Sequence, residues 1–271
     1  MMRLYLPALI VLTWIAVALL GRVLPLSPDL IVLEHILDPP APGAVLGHDD
    51  LGRDIAARLM VGAHTSLVVA VWVVGLSVLV GTLVGTVTAY RGGWWDRVAV
   101  LVVDTFLAFP GILLAIALAG LLGPGIDNVV IALTTVGWVG YARLSRAQVL
   151  SLAHREHVQA AEALGSRQWR IIRYHLLPLM AAPLIVEATF GVAAVVIAEA
   201  GLSFLGLGVQ PPAASWGSMI RDGTRYMLVA PHMVMAPGIA ILLVVLAVNL
   251  LGDRLRDRLD TRIVRTDGEQ A

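Results

Sequence analysis

The chain has 271 residues, 58% hydrophobic and 14% charged, with zero net charge, no cysteine and, among its 19 basic residues, no lysine. A soluble domain carries roughly 45–50% apolar and about 25% charged residues, so lipid is the solvent this composition fits. Zero net charge offers no bulk attraction to nucleic acid, and the lack of cysteine excludes disulfides and thiolate metal sites. The lack of lysine excludes a G-x-x-x-x-G-K-[ST] phosphate loop and Schiff-base chemistry, so any ATPase that drives this chain is another polypeptide.

A membrane-spanning helix needs about 20 mostly apolar residues. Six such runs follow in chain order: 4–21, 66–90, 98–123, 128–141 (continuing through Ala142 and Leu144), 176–205 and 233–252. The first run begins like a signal peptide, with Arg3 before an apolar stretch, but it is long for that role and lacks an A-x-A site before Arg22. The connection to the second run is proline-rich and acidic. It ends in a short amphipathic stretch, with Ile55, Leu59 and Met60 on one face, that reads as a helix lying at the outer interface, with an ordinary solvated loop as the alternative. The third run contains Asp104, with Pro110 six residues later, able to kink the helix.

Residues 145–175 form a long connection without proline. Val158, Ala161 and Leu164 recur at helical spacing, Gly165 interrupts, and Trp169, Ile172 and Leu176 share a face before Pro178. The pattern is helix, glycine turn, helix. A small Ala-Ala face beside an apolar stripe suits docking into a partner's groove; the alternative is that its arginines only set topology and bind anionic headgroups. The fifth run carries Glu187 and Glu199, twelve residues and about 18 Å apart, on different faces. Ionisable groups at this depth are functional candidates by default. Asp104 and Glu187 are therefore the candidate pathway residues, with helix-to-helix pairing as the alternative, and Glu199 reads as structural. His154 and His157 lack the i, i+4 spacing of a zinc helix. Trp94, Trp95, Trp216 and Tyr226 fit an interfacial aromatic belt.

Arginine placement sets the orientation. With the N-terminus inside, fourteen arginines fall on inner segments (Arg3, Arg91, Arg97, Arg143, Arg146, Arg155, Arg167, Arg170, Arg173, Arg254, Arg256, Arg258, Arg262 and Arg265) and five on outer ones (Arg22, Arg53, Arg58, Arg221 and Arg225). Both termini are expected to be cytoplasmic. The expected organisation is a first span with its outer loop and interfacial helix (1–65), a five-span core (66–252) containing the loop 145–175, and a tail (253–271).

The stretch Gln159-Ala160-Ala161, then Gly165, then Leu177-Pro178 resembles the loop of bacterial importer permeases written E-A-A-x3-G-x9-I-x-L-P. Gln159 stands in place of the glutamate and His175 in place of the isoleucine, so any salt bridge through the first position is lost. LGHDDLGRDIAARLMVGAHTSL (46–67), EAGLSFLGLGVQPPAASWGSMI (199–220) and VNLLGDRLRDRLD (248–260) are similar to blocks of one branch of that family, the peptide and nickel importer permeases. The resemblance implies an all-α, six-span permease half in the bacterial inner membrane, doing no covalent chemistry and needing no cofactor. It implies a second homologous permease as partner, one or two ATP-binding subunits below, and an extracytoplasmic solute-binding protein. Loop 145–175 then holds the coupling helix that sits in a cleft of the ATPase. Short peptides are the implied substrate, with nickel or another small solute as the alternative. An ion-coupled secondary transporter fits less well, because no inverted repeat is visible. Gly201-Leu202-Ser203 approaches a protease nucleophile motif with His232 downstream, but Leu205 replaces its second glycine. No charged ring or carbonyl filter of a channel is present.

Overall fold

A computed structural model describes residues 2–259; the rest of the expected tail, including Arg262 and Arg265, lies outside the described residues. The described residues form helices without a strand, only two isolated bridges (Ala41 with Ala44, His48 with Asp54) interrupting the loops. Helix α1 is Met2–Val23 and α2 is Ile55–Arg91. The next two are α3, Gly93–Leu107, and α4, Gly111–Leu122. Then come α5, Ile126–Leu152; α6, Glu156–Ala163; and α7, Gln168–Ile171. A π-helical turn, Ile172–Leu176, runs into α8, Leu177–Phe204. Last are α9, Trp216–Thr224, and α10, His232–Leu259.

Three helical segments are long and apolar enough to cross a membrane: Ile55–Arg91, Gln168–Phe204 and His232–Leu259. The bent pair α3 and α4 makes a fourth when counted as one, and α1 contributes a shorter apolar stretch, Tyr5–Gly21. The loops sort to two ends. Thr65 donates to the Ala214 carbonyl (3.1 Å), His232 Nε2 to that of His48 (3.3 Å), and the Gly125 amide to that of Leu207 (3.2 Å). These bonds gather loops 24–54, 123–125 and 205–231 at one end. At the other, the Tyr90 hydroxyl donates to Glu162, tying the end of α2 to α6.

Two expectations about helix boundaries change. The run 98–123 is two helices bent by 85°. Pro110 has no N–H and its ring collides with the carbonyl four residues back, while Phe109 before it is pushed out of the α region. The chain therefore breaks there, and α4 restarts on the Pro110 carbonyl, which accepts from Leu113 and Leu114 (3.0 and 3.1 Å). The interfacial helix is the start of α2, not a separate element. Asp54 caps it by accepting from the Ala56 amide (2.8 Å), and Ile55 is buried in a cluster with Trp14, Trp216 and Met233.

Small residues set the closest helix contact. Ser77, Gly81, Gly85 and Ala89 recur every four residues along α2, and all are buried. A Cβ on Gly85 would overlap the Ala142 carbonyl, and one on Gly81 would meet the Trp138 carbonyl and lie 2.6 Å from Tyr141 Cβ. The backbones of α2 and α5 thus touch, as small residues at four-residue spacing allow in a membrane. Trp216 is likewise core and not belt: it is buried, and its indole N–H donates to the Leu59 carbonyl (3.0 Å). Trp94 and Trp95 are exposed.

Candidate functional site

The segment after α5 forms helix, glycine turn, helix, as the pattern predicts. Helix α6 presses Val158 and Ala161 into a cluster with Val149, Leu152, Ile171, Ile172 and Leu176. Its other face is open: Gln159, Ala160, Ala163 and Leu164 are exposed, Leu164 by 86%. The expected Val158, Ala161, Leu164 stripe therefore divides. Leu164 is the cap residue (φ −81°, ψ 8°), past the last helical turn, and leaves the inner face. Ala161, 8% exposed, packs against the chain's own bundle, so Ala160 is the small residue a partner can reach.

Gly165 closes α6 with φ +73°, a left-handed conformation that a Cβ disfavours. Its amide donates to the Glu162 carbonyl (2.9 Å) and that of Ser166 to the Ala161 carbonyl (3.0 Å). This is the paired closure of a Schellman cap, which satisfies carbonyls otherwise left free at a helix end. Trp169 departs from the expected face, being 57% exposed while Ile172 and Leu176 are buried. Leu177 and Pro178 account for the π-helical turn. The Pro178 ring would strike the Tyr174 carbonyl in a regular α-helix. Instead the turn widens, and the Leu177 amide donates five residues back to Ile172. Pro178 is exposed in the first turn of α8.

The second feature is a cavity of about 700 Å³ between α2, α4, α5 and α8. Its wall is almost wholly small and apolar, with Gly111, Gly137, Gly140, Gly191 and Gly201 leaving backbone at the surface. Its polar groups are Glu187, Tyr141 and Ser77. The Ser77 hydroxyl is buried without a hydrogen-bond partner among the described residues. Of the two acids singled out by depth, Glu187 lines this space; Asp104 does not. Asp104 is exposed near the end of α3, and its carbonyl accepts from the Ala108 amide at the break (3.0 Å). Glu199 is structural: it is buried, accepting from Ser66 (3.1 Å) and Ser203 (2.8 Å). Ser203 is itself fully buried and its hydroxyl is committed to Glu199, which removes the nucleophile reading.

A third polar cluster lies at the loop that leads into α2, around its first turn. Arg53 pairs with Asp49 (2.6 Å), and Arg58 reaches Asp29 (3.2 Å) and Asp49 (3.5 Å). Burial, then the neighbouring Asp49, push the Asp50 carboxyl above its ordinary range against the pull of Arg53. No local pattern in the sequence marks these pairs.

The described residues thus form a helical bundle with a Gly-walled, largely apolar cavity and a short capped helix at one end. The family described as "Binding-protein-dependent transport system inner membrane component" matches residues 78–265. The chain is 43% identical over 217 residues to the glutathione transport system permease protein GsiD of Escherichia coli O1:K1, covering 80% of this chain and 72% of that one. It is 42% identical over 227 residues to the dipeptide transport system permease protein DppC of Alkalihalophilus pseudofirmus, covering 84% and 75%. An inward-facing structure of the MetNI methionine ABC transporter shares the fold, with a TM-score of 0.61 at 19% identity over 74% of this chain and 96% of that one. The chain belongs to the binding-protein-dependent transport inner-membrane component family, as a multi-pass membrane permease.

Proposed function

We propose that this chain is one half of the translocation pathway of an ATP-driven importer for short peptides. It pairs with a second homologous permease, binds one or two ATP-binding subunits, and receives substrate from an extracytoplasmic solute-binding protein. The observation that carries this reading is the outward face of α6. Gln159, Ala160, Ala163 and Leu164 stand clear of the bundle, on a helix whose other face is packed and whose end is fixed by Gly165. That face suits a groove on a soluble partner. The lack of lysine keeps the nucleotide phosphates on that partner. The names of the relatives, glutathione and dipeptide permeases, support a short peptide as substrate.

In this reading six passes, α1, α2, the α3–α4 pair, α5, α8 and α10, enclose the bundle. The α6 end is cytoplasmic because Arg143, Arg146, Arg155, Arg167, Arg170 and Arg173 cluster there. Both termini share that side. Closure of the ATP-binding subunits pulls α6, and the pull reaches the cavity through α5 and α8, which flank it. Glu187 offers the cavity its single carboxylate, and Asp104 lies at the third pass's break, outside the cavity. Ala160→Glu tests the docking. It places a charge on the open face without touching the core, so the complex should assemble its two permeases and lose the ATP-binding subunit on co-purification. Retention of that subunit, with ATPase activity still stimulated by loaded binding protein, would overturn the coupling role.

A further inference from the structure

The loop that precedes α2 brings two histidines and an aspartate together. His35 ends a short 3-10 turn, Leu33–His35. Leu37 takes a left-handed φ of +61° and folds the chain back, so that Asp38 Oδ2 lies 2.8 Å from His35 Nδ1. His48 arrives from the other arm. Its amide donates to the Asp38 carbonyl (3.0 Å), and the Leu37 amide donates to that of Asp49 (3.0 Å), which fixes the two arms in register. The rings of His35 and His48 lie 5.0 Å apart, 15° from parallel. One ligand atom from each of His35, Asp38 and His48 falls within 4.8 Å of the others. His48 Nδ1 is buried and, among the described residues, has no hydrogen-bond partner. Outside this loop, the His48 carbonyl accepts from His232 at the start of α10 (3.3 Å).

We propose that His35, Asp38 and His48 form a site for a divalent transition-metal ion. Two imidazoles and one carboxylate suit zinc, nickel, cobalt or copper, whereas calcium and magnesium require oxygen ligands throughout. Three protein ligands leave a fourth position for water or for a donor from outside. Bonds of about 2.0–2.1 Å hold two ligands on one ion no more than about 4.2 Å apart. Binding therefore brings His48 closer to the other two ligands, parts His35 Nδ1 slightly from Asp38 Oδ2 as the ion replaces their hydrogen bond, and tilts the rings out of their stack, since each nitrogen lone pair lies in its own ring plane. His35 and Asp38 are about half exposed, which gives an ion its path in. The bound ion clips the His35 turn to the segment leading into α2, and through the His48 carbonyl holds that loop against α10.

The assembled transporter in detergent tests this directly, with Zn2+ for affinity and Co2+ for its visible ligand-field spectrum. The unmodified protein should bind one ion per copy of this chain at these residues and show the intense Co2+ bands of a low-coordinate nitrogen–oxygen site. His48→Gln, His35→Ala and the nearly isosteric Asp38→Asn should each weaken Zn2+ binding by tenfold or more. His157→Ala, at a histidine far along the chain, should leave it unchanged. A wild-type protein without the Co2+ bands, or loop variants that bind Zn2+ as tightly as wild type while His157→Ala does not, would overturn the site. Because the readout is metal binding and not transport, the result is independent of what the importer carries.

Discussion

Gly165 is where backbone conformation and docking can be separated. A Cβ placed there meets nothing within 4 Å, so a substitution causes no clash. Its cost arises from φ +73° alone. An L-residue in this region loses roughly 1–2 kcal/mol, which lowers the population of the closed cap about 5- to 30-fold. Asparagine tolerates the conformation, alanine less, and a β-branched residue least. Transport, and the stimulation of ATPase activity by loaded binding protein, should therefore fall in the order Gly, Asn, Ala, Val at position 165. The amount of folded permease should stay near wild type, because Val158 and Ala161 remain packed. The assay is a proteoliposome ATPase measurement with the wild type and the three variants in parallel. If Asn proves as harmful as Val, or loss follows side-chain size with Ala harmless, the left-handed cap is not what shapes α6. If all four are equal, α6 does not need its Schellman closure.

Three further outcomes are expected. Gly85→Leu forces a side chain onto the Ala142 carbonyl and should cost about 1–3 kcal/mol or more, seen as loss of the monodisperse peak on size-exclusion chromatography. Gly75→Leu, on the same helix with open space around it, should leave that peak intact. Glu187→Gln should lower transport with assembly preserved; unchanged uptake of every peptide tried would remove Glu187 from the pathway. Asp50 binds its proton more tightly folded than unfolded, so its contribution to stability falls as pH rises from its ordinary value of 3.8 through the raised native value. Asp50→Asn should therefore raise the melting temperature at neutral pH and lose that advantage in acid. A gain that is the same at both pH values would refute the electrostatic cause.

The helical class, the apolar runs and the glycine turn are legible in the sequence because each rests on a local rule: run length, or a glycine after the last helical residue. Which way a residue faces is much less legible. In lipid an apolar residue fits the outside of a helix as well as the inside, so the pattern that separates Val158 from Gln159 on α6 is missing along α2 and α10. Trp216 illustrates the point: an interfacial tryptophan and a buried one look alike until Leu59 supplies a carbonyl. Ala161 misleads for a related reason, since a small residue can serve a partner or its own core equally well. The ladder Ser77, Gly81, Gly85, Ala89 is visible as small residues at four-residue spacing, but only the contact with α5 assigns it a purpose. The His35, Asp38, His48 cluster depends on a left-handed leucine, which nothing in the local sequence announces.

The ladder on α2 has a mechanical consequence. Helices α1, α8 and α10 each contain an interior proline, at Pro7, Pro183 and Pro237, and the α3–α4 pair is broken at Pro110; α2 and α5 contain none. Prolines are where helices give way. The two uninterrupted helices are also the two whose backbones lie in contact, so they behave as one stiff spar with the more compliant helices arranged around it. At about 1.5 Å per residue, the 37 residues of α2 span about 55 Å, well beyond the roughly 30 Å hydrocarbon layer. One tip holds the Tyr90 contact with Glu162 on α6, and the other holds Asp54 beside the His48 loop. A tilt imposed at the first tip is delivered to the second without being absorbed on the way, and the whole thickness of the membrane becomes the arm of a lever.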